Sequence, residues 1–145
     1  MSEHHKEEAV NCFNATWDLI DKPDRTHEDN MHMIHMAHAS RYHWGQIGTA
    51  LEFSRGEWQI SRVYSLLGMG ESALLHAKEA LNLCLDNRIA DFDLALAYEA
   101  IARAYSTLGS HKDKTTFIEK AKEAAKAITD EANRQYVESE ISTIT

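Results

Sequence analysis

Cysteine, proline and glycine are all scarce in this chain, and each shortage limits its architecture. The 145 residues include two cysteines, one proline and six glycines. Two cysteines are too few for a disulfide framework. Cys12 and Cys84 each have apolar neighbours at helical spacing, which predicts buried thiols. Little in the sequence interrupts a helix, because proline and glycine are the residues that most disfavour one. The length fits one domain, which can bury a core without disulfides or a metal.

Positive charge and long apolar runs are also in short supply. Lys and Arg number 15 against 23 Asp and Glu, which gives a formal net charge of −8. Such an acidic surface repels nucleic acid and anionic lipid, so we expect neither as a partner. No apolar stretch approaches the roughly 18 residues of a membrane-spanning helix. The N-terminal residues MSEHHKEE lack the basic start and apolar run of a signal peptide. We therefore expect a cytoplasmic protein.

Hydrophobic periodicity predicts seven helices and no strand, which makes the expected fold class all-α. The predicted helices cover about 6–21, 26–53, 57–67, 71–85, 91–109, 114–128 and 130–143. Pro23 ends the first helix because its ring removes a backbone donor. We expect Gly56 to separate the second helix from the third. Asp91 or Asp93 is expected to cap the fifth helix, since aspartate favours the N-cap position.

An internal repeat links the middle helices. Tyr64 precedes Gly68 by four residues, and Tyr105 precedes Gly109 by four, so the two copies are offset by 41 residues. Each glycine is expected to end one helix and to open a hairpin into the next. The matching positions that follow are Ala73 and Lys114, Ala77 and Ile118, and Ala80 and Ala121. Small residues at these positions favour close packing of the two helices of a hairpin.

This spacing resembles the tetratricopeptide repeat (TPR), whose helix-turn-helix units stack into a solenoid. The resemblance covers about 57–128, and Tyr98 stands where the family places its first aromatic residue. The chain departs from the family in its longer period, in its missing terminal proline and in Lys114. It is also similar to small bacterial proteins of this solenoid type that carry no assigned activity.

The resemblance implies one domain over 1–145, built from antiparallel helical hairpins stacked as a short right-handed solenoid. The repeat region at about 57–128 then follows an N-terminal helical pair at about 6–53 and precedes a capping helix at about 130–143. The resemblance implies a fold and a binding groove, and it implies no chemistry.

The second predicted helix has an unusual composition, with five of the nine histidines (His27, His32, His35, His38 and His43). At about 100° per residue, an apolar side faces away from a histidine side; the apolar side comprises Met33, Ala37, Ser40, Trp44, Ile47 and Leu51. Three interpretations of the histidine side compete: a solvated polar stripe, a surface for a ligand or partner, and a metal site.

The metal hypothesis depends on helical spacing. Glu28 and His32 are one turn apart, and His35 is adjacent to His32 on the helix surface. Two imidazoles and a carboxylate suit zinc or another divalent metal, with the closing ligand supplied by a different helix.

A second candidate surface lies on the third predicted helix. Trp58 and Arg62 are neighbours at i and i+4, and with Glu57 they could line a groove for an anionic or aromatic group. The competing interpretation places Trp58 in the core and pairs Arg62 with a carboxylate. Phosphate-loop, nucleophile-elbow and HExxH motifs do not occur, so we assign no catalytic residue.

The preferred hypothesis is a non-enzymatic interaction module that binds a peptide or protein partner in a helical groove without a cofactor. The expected lining residues are His35, His38, Tyr42, Trp58, Arg62, Glu99 and Arg103, if helices two, three and five face one groove. An acidic partner would respond to charge reversal at Arg62. Self-association as a homodimer is expected to cover exposed apolar ends. The alternative is a small metal- or ligand-binding protein or enzyme that uses Glu28, His32 and His35.

Overall fold

The computed structural model describes residues 2–145 and is all-α, as predicted; Met1 lies outside the described residues. Seven helices account for the described part of the chain: α1 (Ser2–Ile20), α2 (His27–Ile47), α3 (Ala50–Leu66), α4 (Gly70–Asp86), α5 (Asp91–Leu108), α6 (His111–Lys126) and α7 (Glu131–Ser142). None of these helices is both long and apolar enough to cross a membrane. Cys12 and Cys84 are free thiols, and only Cys84 is fully buried.

The two glycine turns of the internal repeat have the same backbone geometry. Gly68 and Gly109 adopt φ angles of +77° and +75°, a conformation that costs glycine little and other residues more. After each glycine, the next amide donates to the carbonyl of the tyrosine five positions earlier, at Tyr64 O (2.8 Å) and Tyr105 O (3.0 Å). The repeated sequence therefore closes two equivalent helical hairpins, α3/α4 and α5/α6.

The predicted break at Gly56 is wrong, because the chain breaks at residues 48–49 instead. The carboxylate of Glu52 accepts a hydrogen bond from the Thr49 amide (2.8 Å) and caps the start of α3. Gly56 is buried inside α3, where an added Cβ would lie 2.8 Å from Cδ of Arg41. Gly56 therefore does not end a helix; its lack of a side chain allows α2 and α3 to pack closely.

The predicted capping role of Asp91 or Asp93 is also wrong, since Ala90 occupies the N-cap position of α5. Asp91 has a positive φ of 62°, and Asp93 is buried in the first turn. The carboxylate of Asp93 accepts two hydrogen bonds from Arg55 on α3, at 2.8 and 3.1 Å. Asp93 therefore forms an ion pair with Arg55 of another helix instead of capping the start of α5.

The helices form two rows in which each packs on its neighbours in sequence. Within the first row, α1 contacts α3, α3 contacts α5 and α5 contacts α7, while α2, α4 and α6 lie on the other side. The main core contains buried residues of α3 to α7 and of the connection between α6 and α7: Trp58, Ala77, Ala80, Cys84, Ala95, Leu96, Ala97, Ala100, Ile101, Ala121, Ala125, Ile128, Val137 and Ile141. A smaller core of Met33, Ala37, Ile60 and Val63 joins α2 to α3. This arrangement leaves a groove with α3 and α5 as its floor and α1 and α7 as its sides.

Candidate functional site

Four of the predicted binding residues meet at the centre of this groove. Glu99 is fully buried, and its carboxylate accepts hydrogen bonds from the indole N–H of Trp58 (2.9 Å) and from Nε of Arg103 (2.8 Å). The guanidinium of Arg62 lies 3.6 Å from the same carboxylate. The i and i+4 spacing on each helix and the packing of α3 on α5 place these four groups together.

Glu140 on α7 completes this groove network, which comprises Trp58, Arg62, Glu99, Arg103 and Glu140. Arg62 donates a hydrogen bond to the Glu140 carboxylate, and Arg103 donates to the Glu140 carbonyl at 3.0 Å. Two arginines therefore face two carboxylates, and the formal charges cancel. Burial lowers the pKa of Arg62, but Glu99 and Glu140 raise it more, so the net shift is upwards. The ion pairs of the groove network therefore fix the positions of its two arginine and two glutamate side chains.

One half of the groove is aromatic. A cavity of about 250 Å³ is lined by Phe13, Trp17, Arg55, Trp58, Phe92, Leu96 and Tyr136. The Trp17 and Trp58 rings lie 5.4 Å apart between centroids, and those of Phe92 and Tyr136 lie 6.0 Å apart. Arg62 also stands over both tryptophan rings, 5.7 to 5.8 Å from their centroids. Four helices thus bring five aromatic side chains to one cavity.

The other half of the groove is polar. A second cavity of about 250 Å³ is lined by Ile20, Arg62, Ser65, Leu66, Arg103, Ser106, Thr107, Thr143, Ile144 and Thr145. Arg103 donates to the Thr143 hydroxyl at 2.7 Å, which ties α5 to the end of α7. The groove network separates this polar half from the aromatic half.

The remaining predicted binding residues, His35, His38 and Tyr42, are on α2 and lie away from the groove. Within the described residues, α2 packs against α1 and α3 and makes no helix contact with α5. His35 is exposed, and Tyr42 is 61% exposed. The structure therefore does not bring the histidine side of α2 to the surface formed by Trp58, Arg62, Glu99 and Arg103.

His38 belongs to a second polar assembly, the histidine cluster, which comprises His38, Arg41, Glu57, Tyr64 and His76. Nε2 of His38 shares a hydrogen bond with the Tyr64 hydroxyl (2.9 Å). Nδ1 of His76 on α4 lies 2.6 Å from one oxygen of Glu57, and Nε of Arg41 donates to the other oxygen at 3.0 Å. His76 is 20% exposed and contacts His38 on α2 and Glu57 on α3.

The rings of the histidine cluster are in mutual contact. His38 lies edge-on to His76, with centroids 5.5 Å apart, and His76 stacks on Tyr64 at 5.7 Å. Burial lowers the pKa of His38, and neighbouring His76 lowers it further, whereas Glu57 acts in the opposite direction. His38 therefore favours its neutral form in the folded protein.

Glu28, His32 and His35 all project into solvent from α2. Among residues 2–145, no group of three or more His, Cys, Asp or Glu side chains is arranged to hold a metal ion. The zinc hypothesis for this trio stays a prediction.

Sequence reasoning missed Trp17, Tyr136 and Glu140 in the groove and His76 in the histidine cluster. Each of them reaches its site through packing between different helices, for which spacing within one helix gives no signal. Comparison with known proteins adds no further assignment: no family model, curated protein or solved structure matches the chain significantly.

Proposed function

We propose that this chain is a non-enzymatic, TPR-like interaction module that binds a peptide or protein partner in the groove formed by α1, α3, α5 and α7. The observation that carries the proposal is the cavity between α1 and α7, lined by five aromatic side chains. Aromatic residues dominate the energetics of protein interfaces, because they bury a large rigid surface at low entropic cost. Tyr136 remains 39% exposed in the folded protein and is available to a partner.

The charges in the groove favour a partner segment with an apolar anchor and basic flanks. Arg55 is paired with Asp93, and Arg62 and Arg103 are paired with Glu99 and Glu140, so all three arginines that line the groove are neutralised. The chain as a whole carries −8. A basic segment would be attracted over the distance of a Debye length, whereas an acidic one would be repelled.

The proposal is tested by selecting binders from a displayed library of random short peptides. Affinities of the selected peptides are then measured by fluorescence anisotropy for the wild type and for two matched tyrosine variants. Tyr136→Ala removes an aromatic side from the groove and should weaken binding by about thirtyfold, the effect of a typical interface hot spot. Tyr42→Ala removes a tyrosine of α2 that is 61% exposed and lies away from the groove, and it should leave the affinity unchanged.

The selected peptides should contain an aromatic or aliphatic residue beside Lys or Arg, and their affinity should fall with added salt. Binding that depends on Tyr42 and not on Tyr136 would move the site to α2, and a library that yields no binder would contradict the proposal. Charge reversal at Arg62 is not a useful probe. It would place a third carboxylate beside Glu99 and Glu140 and unfold the site itself.

A further inference from the structure

The histidine cluster holds the α1/α2 hairpin against the rest of the molecule. Two polar links cross from α2 to α3: the hydrogen bond between His38 and Tyr64, and the ion pair between Arg41 and Glu57. Glu57 continues the chain of contacts to His76 on α4. Three helices are therefore joined at one point by hydrogen bonds and ion pairs that involve two histidines.

The α1/α2 hairpin is also attached to α3 through the smaller core around Met33 and Ile60, through the contact between Trp17 and Trp58, and through the Gln59 side-chain amide, which donates to the Phe13 carbonyl at 2.9 Å. Helix α1 packs mainly on α2 and touches α3 over a shorter stretch. It nevertheless supplies Phe13 and Trp17 to the aromatic cavity. A loosening of α2 from α3 would consequently displace one side of the groove.

Protonation of His38 works against this attachment. The half-buried imidazole would become a cation beside His76, with His35 on its own helix as a further nearby histidine. Glu57 is the carboxylate that could compensate, but both of its oxygens are engaged, one by His76 and one by Arg41. The Tyr64 hydroxyl, the remaining neighbour, carries no charge to offset the added proton.

We propose that the histidine cluster is a pH-sensitive latch. It holds α1 and α2 closed on α3 and α4 at neutral pH and releases them when His38 is protonated, below about pH 6.5. The effect of the latch on partner binding rests on the proposed function of the groove, whereas the release of α1 and α2 does not.

The direction of the pH effect on opening follows from proton linkage. His38 is harder to protonate in the closed form than in the open form, so opening takes up a proton. The opening equilibrium should then increase up to tenfold per pH unit, from about pH 6.5 down to the lowered pKa of His38. Above that window it should be independent of pH.

The latch is tested by hydrogen exchange of the full chain, measured by mass spectrometry between roughly pH 5 and pH 7.5. Labelling times are scaled to correct for the pH dependence of intrinsic exchange. Wild-type α1 and α2 should lose protection below about pH 6.5, while α5 and α6 keep theirs. His38→Gln keeps a group that can bond Tyr64 but cannot titrate in this range, and its profile should be flat. His32→Gln, which replaces an exposed histidine of the same helix outside the cluster, should match the wild type.

Identical profiles for wild type and His38→Gln, or parallel loss of protection in all helices, would overturn the latch. A second measurement needs no variant: NMR titration of the wild-type His38 ring must give a pKa below about 6.5, and a higher value refutes the mechanism. A groove that binds no peptide contradicts the proposed function and leaves the exchange result standing. Peptide binding without a pH effect on exchange contradicts only the latch.

Discussion

Replacement of Glu99 by alanine tests whether the groove network stabilises the fold. Glu99 is fully buried and accepts hydrogen bonds from Trp58 and Arg103, with Arg62 at 3.6 Å. Glu99→Ala leaves both guanidinium groups in place with Glu140 as their one remaining carboxylate. It also leaves the Trp58 indole N–H without its acceptor, in a region that water reaches poorly.

The expected loss can be worked from these contacts. Removing one partner of a buried ion pair costs about 3–5 kcal/mol, because the other charge stays desolvated. An unsatisfied buried donor such as the Trp58 indole costs about 1–3 kcal/mol by itself. Since Glu140 still compensates Arg62, we expect a total near 4 kcal/mol. At about 3 °C per kcal/mol for a chain of this size, the melting temperature should fall by about 12 °C.

Urea unfolding followed by circular dichroism gives the free energy of unfolding, and calorimetry gives the melting temperature. The matched control is Glu123→Ala, which removes an 80% exposed carboxylate paired with Lys126 and should change neither quantity measurably. In the double variant Glu99→Ala/Arg103→Ala, the loss should be smaller than the sum of the two single losses. A Glu99→Ala protein as stable as the control would refute the reasoning.

Three further predictions concern the contacts between helices. The free energy of unfolding should fall as pH drops from about 6.5 through the lowered pKa of His38, because the unfolded chain binds that proton more readily; urea unfolding of His38→Gln should show a shallower pH dependence. Gly56→Ala should destabilise the wild type, because the added Cβ displaces Arg41 from Glu57. In an Arg41→Ala background the same change should stabilise the protein by up to about 1 kcal/mol, since alanine favours a helix more than glycine does. Thermal melts of the wild type, the two single variants and the double variant measure both effects. Gly109→Ala should cost about 1 kcal/mol in urea unfolding, since its φ of +75° strains any residue with a Cβ.

The helices and hairpin turns could be predicted because their signals are local. The tyrosine and glycine pairs at 64–68 and 105–109 mark turns that close within a few residues, and the structure shows the same backbone bonds at both. Of the six residues predicted on the apolar side of the second helix, Met33, Ala37 and Ser40 are buried, and Trp44 and Ile47 are partly buried. The sixth, Leu51, belongs to α3. Periodicity within a helix thus states which side faces inwards, but it does not fix where the helix ends.

Gly56 shows where local signals mislead. Glycine has a low helix propensity, which favours a break, but the tertiary contact with Arg41 keeps it inside α3. The true boundary also had a local signal, since Thr49 and Glu52 have the spacing of a capping box. The capping box at 49–52, and not the glycine at 56, therefore marks the boundary between the second and third helices.

The candidate site could be predicted only in part, for a related reason. Trp58 and Arg62 on one helix, and Glu99 and Arg103 on another, are pairs that helical spacing reveals. That the two pairs share one carboxylate, and that Glu140 joins them, depends on the packing of α3, α5 and α7. A helical wheel gives the direction of a side chain about its own axis and does not say which neighbouring helix covers it.

The groove network also explains what the groove can offer a partner. Arg62 and Arg103 could each have bound an external carboxylate, but Glu99 and Glu140 already occupy them. Because a partner would have to break buried ion pairs to use these arginines, their charge contributes little to recognition. The surface left for binding is therefore the set of aromatic faces, held in position by the network beneath them. In the proposed function, this pre-organised aromatic surface on an acidic protein favours apolar anchors with basic flanks, and affinity would depend on the position of α1, the side that the proposed latch would release.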